Sequence, residues 1–245
     1  MSKCLVSGTR LCYDKEKILR KRDKKMQGTK FVASYSGGKD SILAIYRAIR
    51  QGMIPVGLII TYNTEEARSW FHGVPEALLK EVSYSLDIPL TLIRTGGDTY
   101  QANFERELAL QKANGAEVCV FGDIDIEGHL EWGTNCCRAV GMEACFPLWK
   151  DNRADLVTEF IESGFTAHMT VIDTSRLSEK YLGLTLSKPV MESIAVEGAD
   201  VCGENGEYHT FVSDGPLFRF PIPLVFGEKV YREPYALLPL LDPKK

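Results

Sequence analysis

No apolar run in the 245-residue chain approaches the roughly 20 residues that cross a bilayer, and the start of the chain lacks the apolar stretch of a secretory signal. These absences predict a cytoplasmic protein. Cys4, Cys12, Cys119, Cys136, Cys137, Cys145 and Cys202 are odd in number and include no C-x-x-C pair and no Cys/His zinc spacing. Reduced thiols are expected, with a vicinal disulfide or redox role left open for the neighbours Cys136 and Cys137. An excess of one charge is missing too: 29 Lys+Arg against 33 Asp+Glu give a formal charge of -4, so the chain has no general attraction for nucleic acid. Neither the Walker A spacing G-x-x-x-x-G-K-[ST] nor the dinucleotide fingerprint G-x-G-x-x-G occurs. No internal repeat or low-complexity tract is visible.

The composition that is present, 44% hydrophobic and 25% charged, is that of a globular protein long enough for one large or two modest domains. Residues 1–28 stand apart as a basic extension, with Lys15, Lys17, Arg20, Lys21, Arg22, Lys24 and Lys25 crowded together. Such a run suits a solvated helix face or an anionic surface. From residue 29 short β-rich runs alternate with helical periodicity. Phe31–Tyr35, Val56–Thr61, Leu90–Ile93 and Val118–Phe121 read as strands. Ile42–Arg50, a segment through Leu78, Val82 and Leu86, and one through Tyr100, Phe104 and Leu108 read as helices. Apolar strands separated by helices predict an α/β fold, a doubly wound parallel sheet covered on both faces. After Pro147-Leu-Trp149 come a helix over 153–163 and a strand near 168–172. Extended segments at 217–223 and 223–231 then suggest antiparallel pairing. The expected division is therefore 29–150 for the first domain and 151–245 for a second, smaller α+β domain closing over it.

The segment Ser36-Gly37-Gly38-Lys39-Asp40-Ser41 lies between the first strand and the first helix. Two glycines let the backbone approach an anion closely, and the opening helix offers unpaired N–H groups and the positive end of its dipole. Ser36 and Ser41 add hydroxyls and Lys39 a positive charge. Three or four charge-assisted hydrogen bonds, at about 1.5 to 3 kcal/mol each, supply on the order of 5 to 8 kcal/mol, close to the roughly 8 kcal/mol of micromolar affinity. The segment is read as an oligophosphate site. Asp40 either binds Mg2+ or N-caps the helix.

Two further motifs carry polar chemistry. Gly122-Asp123-Ile-Asp125-Ile-Glu127-Gly-His129-Leu-Glu131-Trp132 follows a strand, and strand ends are where open α/β sheets place ligands. Asp123 is the first candidate for holding a cation or an amine, with Glu127 next; a helix-surface reading stays open for Glu127 and Glu131. Gly203-Glu204-Asn205-Gly206-Glu207-Tyr208-His209-Thr210 gathers acids, an amide, a phenol and an imidazole between glycines. It is read as a functional loop whose Glu204, Glu207 and His209 orient substrate and move protons. His72 is a candidate lining residue after the second strand.

The S-G-G-K-D-S loop resembles the PP-loop of the ATP pyrophosphatases. Taken with Gly122-Asp-Ile, Pro147-Leu-Trp149, the 203–210 motif and Asp214-Gly-Pro-Leu-Phe218, it makes residues 30–220 similar to the diphthine–ammonia ligase family. The resemblance implies a PP-loop, HUP-like first domain and an enzyme that activates a carboxylate with ATP, releases pyrophosphate and AMP, and forms an amide with ammonia. It implies ATP bound by Ser36, Gly37, Gly38, Lys39, Asp40, Ser41 and Gly122, and catalysis by Lys39, Asp123, Glu204, Glu207 and His209. Substrate contacts would come from His72, Glu127, His129, Asn205 and Tyr208, and Mg2+ would be held by Asp40 and Asp123. In this family the acceptor is diphthine on elongation factor 2. Two departures stand out: the usual motif G-E-G-G-E-Y-E-T has Asn205 and His209 here, and His129-Leu-Glu-Trp132 looks like the bacterial branch, whose hosts lack diphthamide, so that another carboxylate would be the acceptor there. A homodimer is a possible assembly. Two rival readings are a tRNA-thiolating enzyme using Cys119, Cys136 and Cys137, and a non-catalytic nucleotide-binding protein.

Overall fold

The structure is a computed structural model that describes residues 26–69 and 72–242. The basic cluster Lys15–Lys25, Cys4 and Cys12 lie outside the described residues. Strand β1 (Lys30–Ser34) forms the centre of a mostly parallel sheet. On one side it pairs with β2 (Ile54–Asn63), which pairs in turn with β4 (Leu90–Thr95). On the other side it pairs with β5 (Val118–Val120), followed by β6 (Glu143–Cys145). The short β3 (Arg68–Ser69) runs antiparallel to the end of β2. The chain therefore reverses its direction of winding between β1 and β5, which leaves a crevice beyond the carboxyl ends of those two strands.

Alternation along the strands sends side chains into two separate cores. Phe31 and Ala33, Leu58 and Ile60, and Val118 and Val120 enter one; Val32, Ile59 and Cys119 enter the other. Helices α1 (Lys39–Arg50) and α2 (Glu76–Leu86) cover the first face through Ile42, Ile45, Leu78 and Val82. Helices α3 (Tyr100–Ala113) and α4 (Glu127–Ala139) cover the second through Phe104, Leu108, Cys136 and Cys137. This is the doubly wound arrangement expected from the apolar strands.

Helix α5 (Arg153–Glu162) is capped by Asn152, whose side chain accepts from the amides of Ala154 and Asp155. It leads into β7 (Thr166–Asp173), which starts a second, antiparallel sheet with β8 (Tyr208–Asp214), β10 (Val230–Arg232) and β11 (Tyr235–Leu237) in the order β10-β11-β7-β8. Helix α6 (Lys188–Val196) precedes β8; β9 (Val225–Phe226), β10, β11 and β12 (Leu240–Leu241) follow. Residues 217–223 are not a strand. Leu217, Phe218 and Phe220 fold inward against the core instead, and the Ser85 hydroxyl fixes the turn by donating to the Phe220 carbonyl at 2.5 Å. The first core continues through Leu156, Phe160, Ala167, Ile172, Phe211 and Val212, so both sheets pack around a shared interior.

Candidate functional site

The loop after β1 is held in shape by its own side chains and by the second sheet. The Ser41 hydroxyl donates to the Gly38 carbonyl at 2.9 Å, and the Ser36 hydroxyl, 3.1 Å from Ser41 Oγ, accepts the Gly38 amide at 3.2 Å. Thr210 of β8 accepts the Lys39 amide at 3.1 Å, and the Val212 amide donates to the Gly37 carbonyl at 2.9 Å. Thus the serines shape the turn rather than standing free. The Ile42 amide is already bonded to Gly38, leaving the Asp40 and Ser41 amides as the first-turn donors without an acceptor four residues back in the helix. The N-cap is Gly38 with extended backbone and no side-chain cap, so Asp40 is a first-turn acid and not the cap.

Two glycines are required by contact. A Cβ on Gly122 would sit 2.7 Å from the Ser41 amide nitrogen and 2.8 Å from the Asp40 carbonyl carbon, both backbone atoms. One on Gly38 would sit 2.7 Å from Cε1 of His72. The Gly122 contact presses the end of β5 against the start of α1, which is the crevice that the strand order creates.

A cavity of about 580 Å3 opens there, within the roughly 300–1,000 Å3 range of small-molecule sites. One wall is the loop Ser36–Ser41 (apart from Gly37), Gly122, Asp123 and His129. Another is Gly203, Glu204, Asn205 and Gly206 with Tyr208, His209 and Thr210. The remaining wall comes from strand ends and the helices beyond them: Ser34, Tyr35, Thr61, Tyr100, Phe121 and Trp132. There Thr61 Oγ1 lies 3.2 Å from the Tyr100 hydroxyl, and the Tyr100 and Trp132 rings are 5.8 Å apart. Of the candidates read from the sequence, Gly37, Glu127 and Glu207 do not line this space, whereas His72 does. Glu127 is exposed and pairs with Lys150 at 2.8 Å, because it opens α4 on its outer side. Glu207 is buried beneath its own loop, accepting from the Asn205 backbone and side-chain amides at 3.1 Å each. Tyr208, His209 and Thr210 belong to strand β8 and not to a loop, since the turn closes at Gly206 and the residues beyond pair with β7.

The charges in the cavity act on one another. Lys39 is 5% exposed; burial opposes its charge, but Asp40 at 2.8 Å, with Cys202 and Tyr208, holds the ammonium well above the usual lysine range. Burial, then the charges of Asp40 and Asp123, raise Glu204 to about 7. His72 falls to about 3 through burial and the neighbouring His209, whose ring is 5.1 Å away. Its Nδ1 donates to the Thr210 carbonyl at 2.8 Å, leaving neutral Nε2 as an acceptor. His209 is lowered by burial and by Lys39. His129 is raised by its 3.1 Å contact with Asp123. No described cysteine lines the cavity, and burial pushes the thiols of Cys136 and Cys202 up to about 12, which leaves them inert at neutral pH.

The sequence reading missed Ser34, Tyr35, Thr61, Tyr100 and Phe121, whose only signal was position at strand ends or at the start of a helix; Trp132 and Thr210 it quoted as motif members without giving them a role.

The comparisons with known proteins agree with this geometry. Residues 29–144 match the diphthamide synthase N-terminal domain and residues 152–240 the diphthamide synthase C-terminal domain. Rattus norvegicus diphthine–ammonia ligase is 35% identical over 235 residues, covering 85% of this chain and 87% of that protein. The Homo sapiens diphthine–ammonia ligase is 35% identical over 112 residues, 43% of this chain and 41% of that one. The Saccharomyces cerevisiae protein of the same name is 26% identical over 229 residues, covering 78% of this chain but 33% of its own length. A crystal structure described as a predicted subunit of tRNA methyltransferase from Methanocaldococcus jannaschii aligns with 75% of this chain and 95% of its own at 14% identity, with a TM-score of 0.42. With both halves matched in order and the motifs gathered around one cavity, the chain belongs to the diphthine–ammonia ligase family.

Proposed function

We propose that the cavity runs a two-step amidation in which the loop 36–41 holds the pyrophosphate end of ATP. As a member of its family the chain is an ATP-dependent amide ligase; the assignment of parts to residues is our reading. A carboxylate accepts ammonia poorly, because its charge is delocalised and oxide is a poor leaving group. Attack of a carboxylate oxygen on the α-phosphorus breaks the bond to the β-phosphate, releases pyrophosphate and gives an acyl-adenylate. Ammonia then attacks the acyl carbon, AMP leaves, and one proton passes to a base.

Gly37, Gly38 and Gly122 keep the backbone close enough to the phosphates, the Asp40 and Ser41 amides donate to them, and Lys39 offsets their charge. The wall of Tyr35, Thr61, Tyr100 and Trp132 suits the adenine ring, being mostly aromatic with three hydroxyls. Asp123 and Glu204 face the reacting carbon. Glu204, poised near neutrality, takes the proton from the incoming amine. His72 and His209 stay neutral and accept hydrogen bonds from the acceptor substrate, with Asn205 and Tyr208 beside His209 and with His129 on the wall of Asp123. Among the described residues no three acidic, His or Cys side chains form a metal cage. Asp40 and Asp123 are hard oxygen donors beside the phosphate loop, which fits support of Mg2+ carried on the nucleotide. When bound, that ion neutralises the departing pyrophosphate.

The observation that carries this reading is the backbone contact at Gly122, which brings the Asp123 loop against the phosphate loop. Diphthine on elongation factor 2 is the proposed acceptor. The protein is incubated with magnesium ATP, 15N-ammonium and diphthine-bearing elongation factor 2, and in parallel with a bacterial lysate. Mass spectrometry should find one labelled amide on the factor, with AMP and pyrophosphate in equal amounts. A label found only on a lysate component replaces the acceptor, and ADP with phosphate overturns the bond cleavage.

A further inference from the structure

Arg153 does not line the cavity, yet it touches both loops that carry the cavity's acids. It opens α5, in the part of the chain that follows the nucleotide-binding sheet. Its guanidinium grips Asp125 through two bonds, Nε to Oδ2 at 2.8 Å and Nη2 to Oδ1 at 2.7 Å. Its remaining nitrogen, Nη1, reaches Asp200 Oδ2 at 2.5 Å and Asn205 Oδ1 at 3.1 Å. Asp125 lies two residues beyond Asp123. Asp200 also accepts the Glu204 amide at 3.1 Å and the Cys202 amide at 3.0 Å, so it organises the turn that presents Glu204. Only 12% of the Asp200 side chain is exposed, which makes a directed partner necessary. The planar, five-donor fork of arginine serves two carboxylates and an amide at once, which a lysine cannot do.

We propose that Arg153 is a positioning residue for amidation: acting through Asp125 and Asp200, it holds the Glu204 turn in register with the Asp123 loop across the cavity. The proposal rests on the amidation reading above for the step it serves, and on geometry alone for the clamp. ATP binding by the loop 36–41 does not need it, because Arg153 bonds Asp125, Asp200 and Asn205 and touches none of those residues.

The test compares wild type, Arg153→Lys and Arg153→Ala in the 15N-ammonium reaction with diphthine-bearing elongation factor 2. For Arg153→Ala, calorimetry with magnesium ATP should give an affinity within about twofold of wild type. Its kcat should fall by about tenfold or more, with the KM for ammonium raised and the KM for ATP unchanged. Ethylguanidinium added to the solution should restore part of the rate, and Arg153→Lys should fall between the two. A folded Arg153→Ala with wild-type kcat overturns the proposal. So does a loss shared equally by ATP binding and turnover that ethylguanidinium does not reverse. If Arg153→Ala does not fold, Arg153→Lys carries the same comparison. If wild type itself forms no amide, the amidation reading fails, and the clamp is judged by hydrogen exchange. Amides at 123–127 and 200–206 should then exchange faster in the variant and recover with ethylguanidinium; unchanged exchange overturns the clamp as well.

Discussion

Individual residues in the cavity are constrained by contact and by charge. Gly122 has no room for a side chain because the atoms it meets are backbone and cannot rotate away. Gly122→Ala should push the start of α1 outward, destabilise the fold by about 1–3 kcal/mol in urea titration and weaken magnesium ATP binding by about tenfold in calorimetry. Unchanged affinity would detach Gly122 from the phosphate site. Glu204 makes a different prediction. Burial and the charges of Asp40 and Asp123 hold its folded pKa near 7, above the unfolded value, so the native state binds the extra proton between about pH 4.5 and 7. Its contribution is favourable below that window and is lost as pH rises through it. Glu204→Gln should flatten this part of the stability–pH profile, while in wild type turnover rises over the same interval as the base ionises. Both glycines and Glu204 were legible in the sequence as motif members. What could not be read there was which acids of a motif face inward: Glu204 lines the cavity, whereas Glu207, three residues on, ties down its own turn.

Elements explain that difference. The short apolar runs of β1, β2 and β5 were readable because the sheet is covered on both faces, and three helices of the first half, α1, α2 and α3, follow from apolar spacing, whereas α4 lies in the polar motif after β5. The second half was harder. Strand β8 begins inside what reads as a polar loop, and its polar residues are tolerated because Thr210 bonds the Lys39 amide and the Thr210 carbonyl bonds His72. Such partners lie far away in sequence, 171 and 138 residues respectively, and leave no local pattern. The same holds for the 217–223 segment, which buries its aromatics as a turn. A test belongs to β8: Thr210→Val keeps the shape but leaves the buried Lys39 amide without its acceptor, at a cost of about 1–3 kcal/mol. Denaturant titration should show that loss together with weaker nucleotide binding, and Thr210→Ser should recover most of both. If Thr210→Val binds nucleotide as wild type does, the strand is not what shapes the loop.

At the scale of the whole molecule, the proposed division near residue 150 is a boundary of topology rather than of packing. The main core runs from Phe31 through Phe160 and Phe211 to Leu240, and Arg47 of α1 bonds the Pro147 carbonyl, Asp151 and Glu159 across the junction. Scanning calorimetry should therefore show one cooperative transition; two separable ones would mean that the halves fold independently. The shared interior also places β8 over the loop 36–41 and the 200–206 turn opposite Asp123, so that neither half contains a complete cavity. The central claim is that the loop between β1 and α1 grips the two phosphates expelled when a carboxylate captures AMP. A crystal structure with magnesium and an ATP analogue that cannot be cleaved between its α- and β-phosphates tests it most directly. The account predicts the β- and γ-phosphates against residues 36–41, with the α-phosphate turned toward Asp123 and Glu204; a triphosphate bound elsewhere with that loop empty would contradict it.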